Sequence, residues 1–335
     1  MFMTSTNMRS MNNPFLLKPA AKDYLWGGNR LNTEFGKNID LSPLAETWEC
    51  SVHPAGESVI VSGSFSNRTL RSVLQEHPEF MGTNAGTRDN LPVLVKFIDA
   101  DQDLSIQVHP DDTYARSHEN GQAGKTELWY ILDADPGSTI VYGLKYPLSR
   151  KQAEEELMRG DFTKYLNYVP VKKGDVFLIK AGMIHAMNHG VLAAEIQESS
   201  DLTYRLFDYH RLDKDGKERP LHIAKALDVA DLSALQPPQQ PMHVLHYKRG
   251  FAMERLCRCP YFQVDRVLLN TSVVRTMVSI QTTSYTFRIL LCIDGCGVLR
   301  TDEDLFFFKG DCIFIPAGSM PARLHGNAKF LSIEC

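Results

Sequence analysis

Residues 105–111 of this 335-residue chain read Ser-Ile-Gln-Val-His-Pro-Asp, and Lys-Thr-Glu-Leu-Trp follows at 125–129. Both stretches have the composition of β-strands. Because a strand points alternate side chains to opposite faces, Gln107 and His109 are expected to share one face. If the two strands are neighbours, an imidazole, an amide oxygen and the carboxylate of Glu127 converge on one point. These groups, together with one more histidine, would make a metal site.

A second motif supplies that histidine and also occurs twice. The sequence GDVFLIKAGMIHA at 174–186 aligns without a gap with GDCIFIPAGSMPA at 310–322. Both copies combine a Gly-Asp turn, a buried strand and an Ala-Gly turn. A recurrence of this kind indicates two copies of one β-unit.

The two copies differ where a metal ligand would stand. His185 in the first copy aligns with Pro321 in the second, and the continued alignment places Glu127 near Arg288. The second copy therefore keeps the scaffold and lacks the ligands. We expect only the first unit to bind a metal ion.

A buried cluster of His109, Glu127 and His185 favours a cation on energetic grounds. Charged or polar side chains that point into a small barrel are costly unless they are paired, and a cation removes that cost. Two histidines, one carboxylate and the Gln107 amide suit zinc with room for water or substrate. Iron and manganese also accept such a set, and the spacing does not choose between them.

The rhythm of the chain indicates an all-β protein with a few short helices. Short strand signals recur between turn residues, which is typical of β-sandwiches and barrels. Helical periodicity is confined to 67–81 and 147–164, where Ser149 is the expected N-cap. Lys96 interrupts an apolar strand, as either a snorkelling edge residue or a buried charge with a purpose. Trp129 is expected to fill the core.

Four segments follow from these signals. Residues 1–13, rich in Met, Ser and Asn, are predicted to be a disordered extension. Residues 14–235 would form the metal-binding unit, with an irregular lead-in and the helices. The Pro- and Gln-rich stretch within 236–245 is typical of a linker. Residues 246–335 would form the second, metal-free unit.

Composition narrows the function classes. A hydrophobic content of 43% and a charged content of 23% are those of an ordinary globular protein. A net charge of −4 offers no basic stripe for nucleic acid, and no stretch reaches the roughly 20 apolar residues of a membrane span. Seven scattered cysteines, an odd number, favour a reducing cytoplasm. The sequence favours no particular oligomeric state.

Several motifs, taken in order, resemble the signatures of type I mannose-6-phosphate isomerases, the zinc-dependent phosphomannose isomerases of the cupin superfamily. They are SIQVHPD at 105–111, KTELWY at 125–130, AGMIHA at 181–186 and ExxxSSDxTYR at 195–205. The sequences LKPxxxxYxWGG at 17–28 and ETWE at 46–49 also fit. The chain length suggests the short bacterial form.

The resemblance implies two jelly-roll cupin domains and a reaction between D-mannose 6-phosphate and D-fructose 6-phosphate through a metal-stabilised cis-enediol. It also implies one Zn²⁺ per chain and a sugar phosphate as the small-molecule partner. The implied metal ligands are Gln107, His109, Glu127 and His185. The implied catalytic residues are Arg205, Lys125 and Glu195, and the implied substrate-binding residues are Ser105, Lys125 and Arg205. From the residues alone, a salt bridge would be the default role of Arg205.

Two other functions fit parts of the pattern. Two-domain cupins include iron or manganese dioxygenases and oxidases, which usually present three histidines and a glutamate, whereas Gln107 takes the fourth place here. A non-catalytic sugar-binding protein on the same scaffold is the second alternative. Missing metal ligands would favour this alternative, but the first unit contains all of the expected ligands.

Overall fold

The computed structural model describes residues 12–85, 90–213, 215–234, 245–274 and 276–335, and strands dominate this part of the chain. The strands of the N-terminal half are β1 (Phe15–Lys18), β2 (Ala20–Lys22), β3 (Glu46–Cys50), β4 (Val52–His53), β5 (Gly56–Glu57), β6 (Val59–Ile60), β7 (Val93–Ala100), β8 (Ile106–Val108), β9 (Glu127–Ala134), β10 (Thr139–Leu144), β11 (Leu166–Pro170), β12 (Val176–Ile179), β13 (His185–Met187), β14 (Val191–Glu198) and β15 (Tyr204–Phe207). Those of the C-terminal half are β16 (Leu245–Lys248), β17 (Phe251–Arg258), β18 (Gln263–Asn270), β19 (Val278–Ile280), β20 (Arg288–Arg300), β21 (Asp304–Phe308), β22 (Cys312–Ile315) and β23 (Ala322–Glu334). The α-helices are α1 (Arg30–Phe35), α2 (Leu70–Glu76), α3 (Asp112–His118), α4 (Arg150–Arg159) and α5 (Ile223–Val229). The predicted all-β fold with a few short helices is confirmed.

Two antiparallel sheets form the first unit. A six-stranded sheet has the order β12-β9-β14-β7-β3-β2, and a five-stranded sheet has the order β11-β10-β13-β8-β15. Apolar side chains from both sheets, including Trp129 and Met187, fill the space between them. Helices α4 and α5 cover the outer face of the five-stranded sheet. The polar residues of the candidate site face into the same sandwich, beside this apolar cluster.

The second unit repeats the strand order of the first. Its sheet contains β17-β18-β23-β20-β22, which corresponds strand by strand to β3-β7-β14-β9-β12. The two sheets pack through their outer faces, where Val95 and Phe97 of one share an apolar core with Phe314 and Ile333 of the other. Two cupin units therefore stand back to back.

The repeated motif has the same conformation in both units. Gly174 and Gly310, with φ of 91° and 99°, open the two turns, and φ in this range favours glycine. The strand that follows ends at Ile179 in the first copy, opposite Glu127. It ends at Ile315 in the second copy, opposite Arg288.

Arg288 therefore occupies the position of Glu127 in the strand register, as the alignment predicts. In the second unit Arg288 donates from Nε to Glu334 Oε1 over 2.6 Å. In the first unit, the residue paired with Glu127 on the neighbouring strand is Gln197. The second unit thus has a half-buried Arg288–Glu334 ion pair where the first unit has the candidate ligand Glu127.

The start of the chain differs from the sequence prediction. Residues Phe15–Lys18 of the expected irregular lead-in form β1, which pairs with β22 of the second unit and with β6. The first strand therefore belongs to the C-terminal sheet. The domain boundary at residue 235 stays a prediction. The predicted extension 1–13, apart from its last two residues, and the predicted linker 236–245, apart from Leu245, lie outside the described residues.

The two predicted helices are present but shorter than their sequence patterns. Helix α4 begins after Ser149 with a capping box, because the Ser149 hydroxyl accepts from the Gln152 N–H and the Gln152 amide oxygen accepts from the Ser149 N–H. Helix α2 ends before Pro78. Helices α1, α3 and α5 were not predicted from the sequence. Within the described ranges, no helix has the length and apolar character that crossing a membrane requires.

Candidate active site and metal centre

The predicted ligands lie on two facing sheets, and not on neighbouring strands as the simplest interpretation of the sequence supposes. Gln107 is in β8 and His109 follows it, whereas Glu127 begins β9 in the opposite sheet. His185 begins β13, where it pairs with Gln107 in the strand register. The inward faces of β8 and β9 oppose each other across the sandwich. Strand alternation therefore predicts correctly that Gln107, His109 and Glu127 point toward one another, although β8 and β9 are not neighbours in one sheet.

Three of these side chains converge on one point. Glu127 Oε2 lies 3.4 Å from His109 Nε2, and Glu127 Oε1 lies 3.2 Å from His185 Nε2. The two Nε2 atoms are 3.1 Å apart. All three side chains are at most 1% exposed. His109, Glu127 and His185 therefore form a candidate metal site.

Backbone contacts orient both imidazoles toward this point. His109 Nδ1 donates to the carbonyl of Leu202 over 2.7 Å, and His185 Nδ1 donates to the carbonyl of Met183 over 2.8 Å. A ring that donates through Nδ1 keeps the lone pair on Nε2, which is the form that ligates metals. Both lone pairs point at the carboxylate of Glu127.

The electrostatics of the cluster fit a cation. Burial raises the pKa of Glu127, but the neighbouring Lys125, His109 and His185 outweigh burial and hold that pKa well below its usual range. Burial, with the charge of Lys125, lowers the pKa of His109 to about 3. The site thus combines an ionised carboxylate with a neutral imidazole, as metal binding requires. Among the described residues both Glu127 oxygens are buried without a hydrogen bond, and only Oε2 has an ion pair with Lys125, which leaves room for a bound cation.

Gln107 lies at the edge of the cluster. Its Nε2 is 3.4 Å from His185 Nε2, and its Oε1 is 3.4 Å from the Ser105 hydroxyl. A half-turn of the terminal amide exchanges the oxygen and nitrogen and would turn the oxygen toward the histidines. Its role as a ligand stays a prediction.

The other predicted site residues line one cavity beside the cluster. Lys125 reaches from this cavity to Glu127, with 3.1 Å between Nζ and Oε2. The cavity is lined by Tyr24, Trp26, Glu46, Lys96, Ile98, Leu104, Ser105, Gln107, Lys125, Trp129, Glu195, Asp201, Thr203, Arg205 and Arg219. Ser105, Lys125, Glu195 and Arg205 are thus brought together, whereas their individual roles remain predictions.

Lys96 resolves the choice that the sequence leaves open, because it is buried in the central strand β7 and is only 3% exposed. Its Nζ lies 3.2 Å from Glu195 Oε1 and 3.5 Å from Glu46 Oε2. Each carboxylate also accepts from an indole N–H, Glu195 from Trp129 over 2.8 Å and Glu46 from Trp48 over 2.7 Å. Trp129 is a core residue, as predicted, and it also orients Glu195.

Sequence reasoning missed Glu46, Asp208 and Arg219 as parts of the site. Glu46 lies within the ETWE motif, so its signal was present but was not connected with Lys96. Asp208 and Arg219 flank a turn-rich segment after β15, where no periodicity shows which side chains point inward.

The fold is that of a cupin, and its buried histidines and glutamate beside a polar cavity form a candidate metal site. The family model "Phosphomannose isomerase type I, catalytic domain" matches residues 15–134, and "Mannose-6-phosphate isomerase, cupin domain" matches residues 253–334. The chain belongs to the type I mannose-6-phosphate isomerase family.

Individual relatives match over nearly their whole length. Mannose-6-phosphate isomerase ManA of Bacillus subtilis is 36% identical over 319 residues, which cover 94% of this chain and 97% of that protein. The mannose-6-phosphate isomerase of Streptococcus mutans is 35% identical, covering 97% and 100%. The crystal structure of the mannose 6-phosphate isomerase from Bacillus subtilis superposes with a TM-score of 0.88 at 32% identity, covering 96% of this chain and 99% of that one. These relatives support the isomerase prediction and not the oxidase or sugar-binding alternatives.

Proposed function

We propose that this chain interconverts D-mannose 6-phosphate and D-fructose 6-phosphate through a cis-enediol, with one zinc ion per chain. Family membership supports the reaction. The observation that carries the site assignment is the convergence of the His109 and His185 Nε2 atoms on the buried carboxylate of Glu127. Zinc suits two imidazoles and a carboxylate, with the Gln107 amide or water in the remaining positions.

His109, Glu127 and His185, with Gln107, would hold the ion. When bound, zinc would supply Lewis acidity that stabilises negative charge developing on the sugar oxygens. The cavity beside the cluster is where the open-chain sugar would lie, because it presents Ser105 for hydrogen bonding and several charged groups.

Lys125 and Glu195 are the groups that we assign to proton transfer between C2 and C1. Both line the cavity, and Lys96 and Trp129 fix the two oxygens of Glu195. A positioned acid or base of this kind contributes a rate factor of about 10² to 10⁴. Arg205 contributes positive charge on the substrate side of the cavity.

We also propose that the protein works in the cytoplasm. Cys50, Cys257, Cys259, Cys292, Cys296 and Cys312 are thiols and not halves of disulfides. Scattered thiols of this kind are characteristic of a reducing compartment. The absence of nucleic-acid and membrane partners remains a prediction from charge and composition.

Metal analysis combined with a coupled assay on mannose 6-phosphate tests the proposal. We expect the purified protein to contain zinc, to lose activity on chelation and to regain it on zinc addition. Glu127→Gln should lose both zinc and activity. Glu195→Gln is the matched control, which should keep its zinc and lose at least about 100-fold in kcat. Full activity of metal-free protein, verified by elemental analysis, would contradict the metal assignment.

A further inference from the structure

Arg219 reaches the cavity from the segment between β15 and α5, and Asp208 holds it there. Arg219 donates to Asp208 through Nε over 2.7 Å and through Nη2 over 2.6 Å. Asp208 is only 4% exposed, and the Arg219 side chain is 21% exposed. A side-on pair of this kind fixes the guanidinium plane and leaves Nη1 available for another partner.

Arg205 adds a second guanidinium to the same cavity. Its Nε is buried and has no hydrogen-bond partner in the described part of the chain. Burial, together with the nearby charge of Arg219, lowers the pKa of Arg205. Two guanidinium groups that line one cavity repel each other unless an anion lies between or beside them.

The carboxylates near the pair, Asp208 and Asp201, act on Arg205 only from a distance in the described residues. Asp208 also accepts from Arg211 Nη2 over 2.5 Å, so its single negative charge serves two arginines. Asp201 lines the cavity, but across the described ranges no ion pair within 4 Å joins it to either Arg205 or Arg219. In the described part of the chain Arg205 therefore has no ion-pair partner within 4 Å, and Arg219 shares its carboxylate with Arg211.

We propose that Arg219 binds the phosphate group of the substrate together with Arg205, and that Asp208 is a positioning residue for Arg219. The inference rests on the proposed function, since it assigns the anionic end of that substrate. A dianionic phosphate offers three oxygens, and guanidinium groups bind such oxygens in pairs. The predicted catalytic groups Lys125 and Glu195 lie in the same cavity, so a sugar could extend from the arginines toward the metal cluster.

Arg211 provides a matched control because it shares Asp208 but not the cavity. Its Nη1 donates to the Asp103 carbonyl over 2.6 Å, and its Nε donates to the Asp208 carbonyl over 3.4 Å. Every nitrogen of its guanidinium thus has a partner in the protein. Its side chain, at 16% exposed, is buried about as deeply as that of Arg219. Removing Arg211 perturbs the same carboxylate without removing a donor from the cavity.

The test compares Arg219→Gln, Arg211→Gln and Asp208→Asn with the wild type. For each protein we would measure kcat and KM for mannose 6-phosphate, the dissociation constant of inorganic phosphate by calorimetry, and the melting temperature. Arg219→Gln should raise KM and the phosphate dissociation constant by about 10- to 100-fold, as expected for lost hydrogen bonds to a charged group, with kcat within about fivefold of wild type. Asp208→Asn should shift the same two constants in the same direction, but less. Arg211→Gln should lower the melting temperature and leave both constants unchanged.

Two results would overturn the inference. One is an unchanged phosphate dissociation constant in Arg219→Gln. The other is an equal shift in Arg211→Gln, which would reduce both arginines to supports for Asp208. Phosphate binding does not require turnover, so the two proposals can fail separately. Wild-type protein that binds phosphate through Arg219 but lacks isomerase activity would refute the proposed function and keep the anion site.

Discussion

Replacing Lys96 by methionine should strongly destabilise the fold. Methionine keeps the unbranched apolar body of the side chain and removes the ammonium group between Glu46 and Glu195. Those carboxylates are 7% and 4% exposed, so neither can recover its hydration. Each would retain the hydrogen bond from its tryptophan, but the cation that compensates their charge would be gone.

The expected loss in the free energy of unfolding is about 3 to 5 kcal/mol, the usual result of removing one partner from a buried ion pair. The geometry supports this size. At the 3.2 Å that separates Lys96 Nζ from Glu195 Oε1, the Coulomb attraction is about 5 kcal/mol at an effective dielectric constant of 20. Protonation of one carboxylate in the variant would recover part of this energy and keeps the net loss below the sum of both contacts.

Urea unfolding at neutral pH, followed by tryptophan fluorescence, would measure the loss. Trp48 and Trp129 both contact the network, so the signal reports on its integrity. Lys151→Met is the control, because Lys151 is 86% exposed and its removal should change stability by less than about 0.5 kcal/mol. Adding Glu195→Gln to Lys96→Met should restore part of the loss, since one unpaired charge disappears.

A Lys96→Met stability within about 1 kcal/mol of the wild type would contradict the predicted loss, because removing one partner of a buried ion pair costs more. A double variant less stable than Lys96→Met alone would contradict it as well. Either outcome would mean that water or a rearranged side chain reaches these carboxylates.

Two further predictions concern stability. Burial raises the pKa of Glu198 to about 7, although the Thr126 N–H donates a hydrogen bond to its carboxylate. Between about pH 4.3, the ordinary pKa of a glutamate, and pH 7 the native state therefore keeps a proton that the unfolded state has released. The free energy of unfolding should therefore fall by about 2 to 3 kcal/mol as pH rises from 4.5 to 7.5, and this fall should be absent in Glu198→Gln; parallel urea midpoints for both proteins across this range would disprove it. In the repeated turn, Gly310→Ala should cost more stability than Gly174→Ala, because an added Cβ at 310 would overlap the backbone carbonyl of Phe35 whereas the site at 174 is nearly open. Both substitutions carry a backbone penalty of about 1 to 3 kcal/mol, so equal losses in thermal unfolding would contradict the steric argument.

Strand alternation and the internal repeat made much of the site predictable. Alternation placed Gln107 and His109 on one face, and the gapless repeat located both the scaffold and the absence of ligands in the second unit. The register confirms the alignment of Glu127 with Arg288, a relation that needs no knowledge of which strands are neighbours. A period of two gives the face of a side chain, but not the sheet in which its strand lies. For that reason the opposite placement of β8 and β9 could not be read from sequence.

Long-range pairing and irregular segments account for the rest. The four residues of β1 are too short for a periodic signal, and their partner β22 lies near the other end of the chain. Asp208 and Arg219 come from a turn-rich segment whose inward-facing side chains are fixed only by tertiary contacts. Lys96 was ambiguous because an interrupted apolar run describes both an edge strand and a buried ion pair.

The pairing of β1 with β22 has a consequence for biosynthesis. Strand β1 leaves the ribosome long before β22, and until β22 follows it has only β6 as a sheet partner, with Phe15 and Leu17 lacking some of the apolar neighbours that bury them in the folded protein. A nascent chain that stalls before β22 therefore displays an unpaired edge, which invites association with other chains. Production of the N-terminal half alone is accordingly expected to yield aggregates, even though that half carries all the candidate metal ligands.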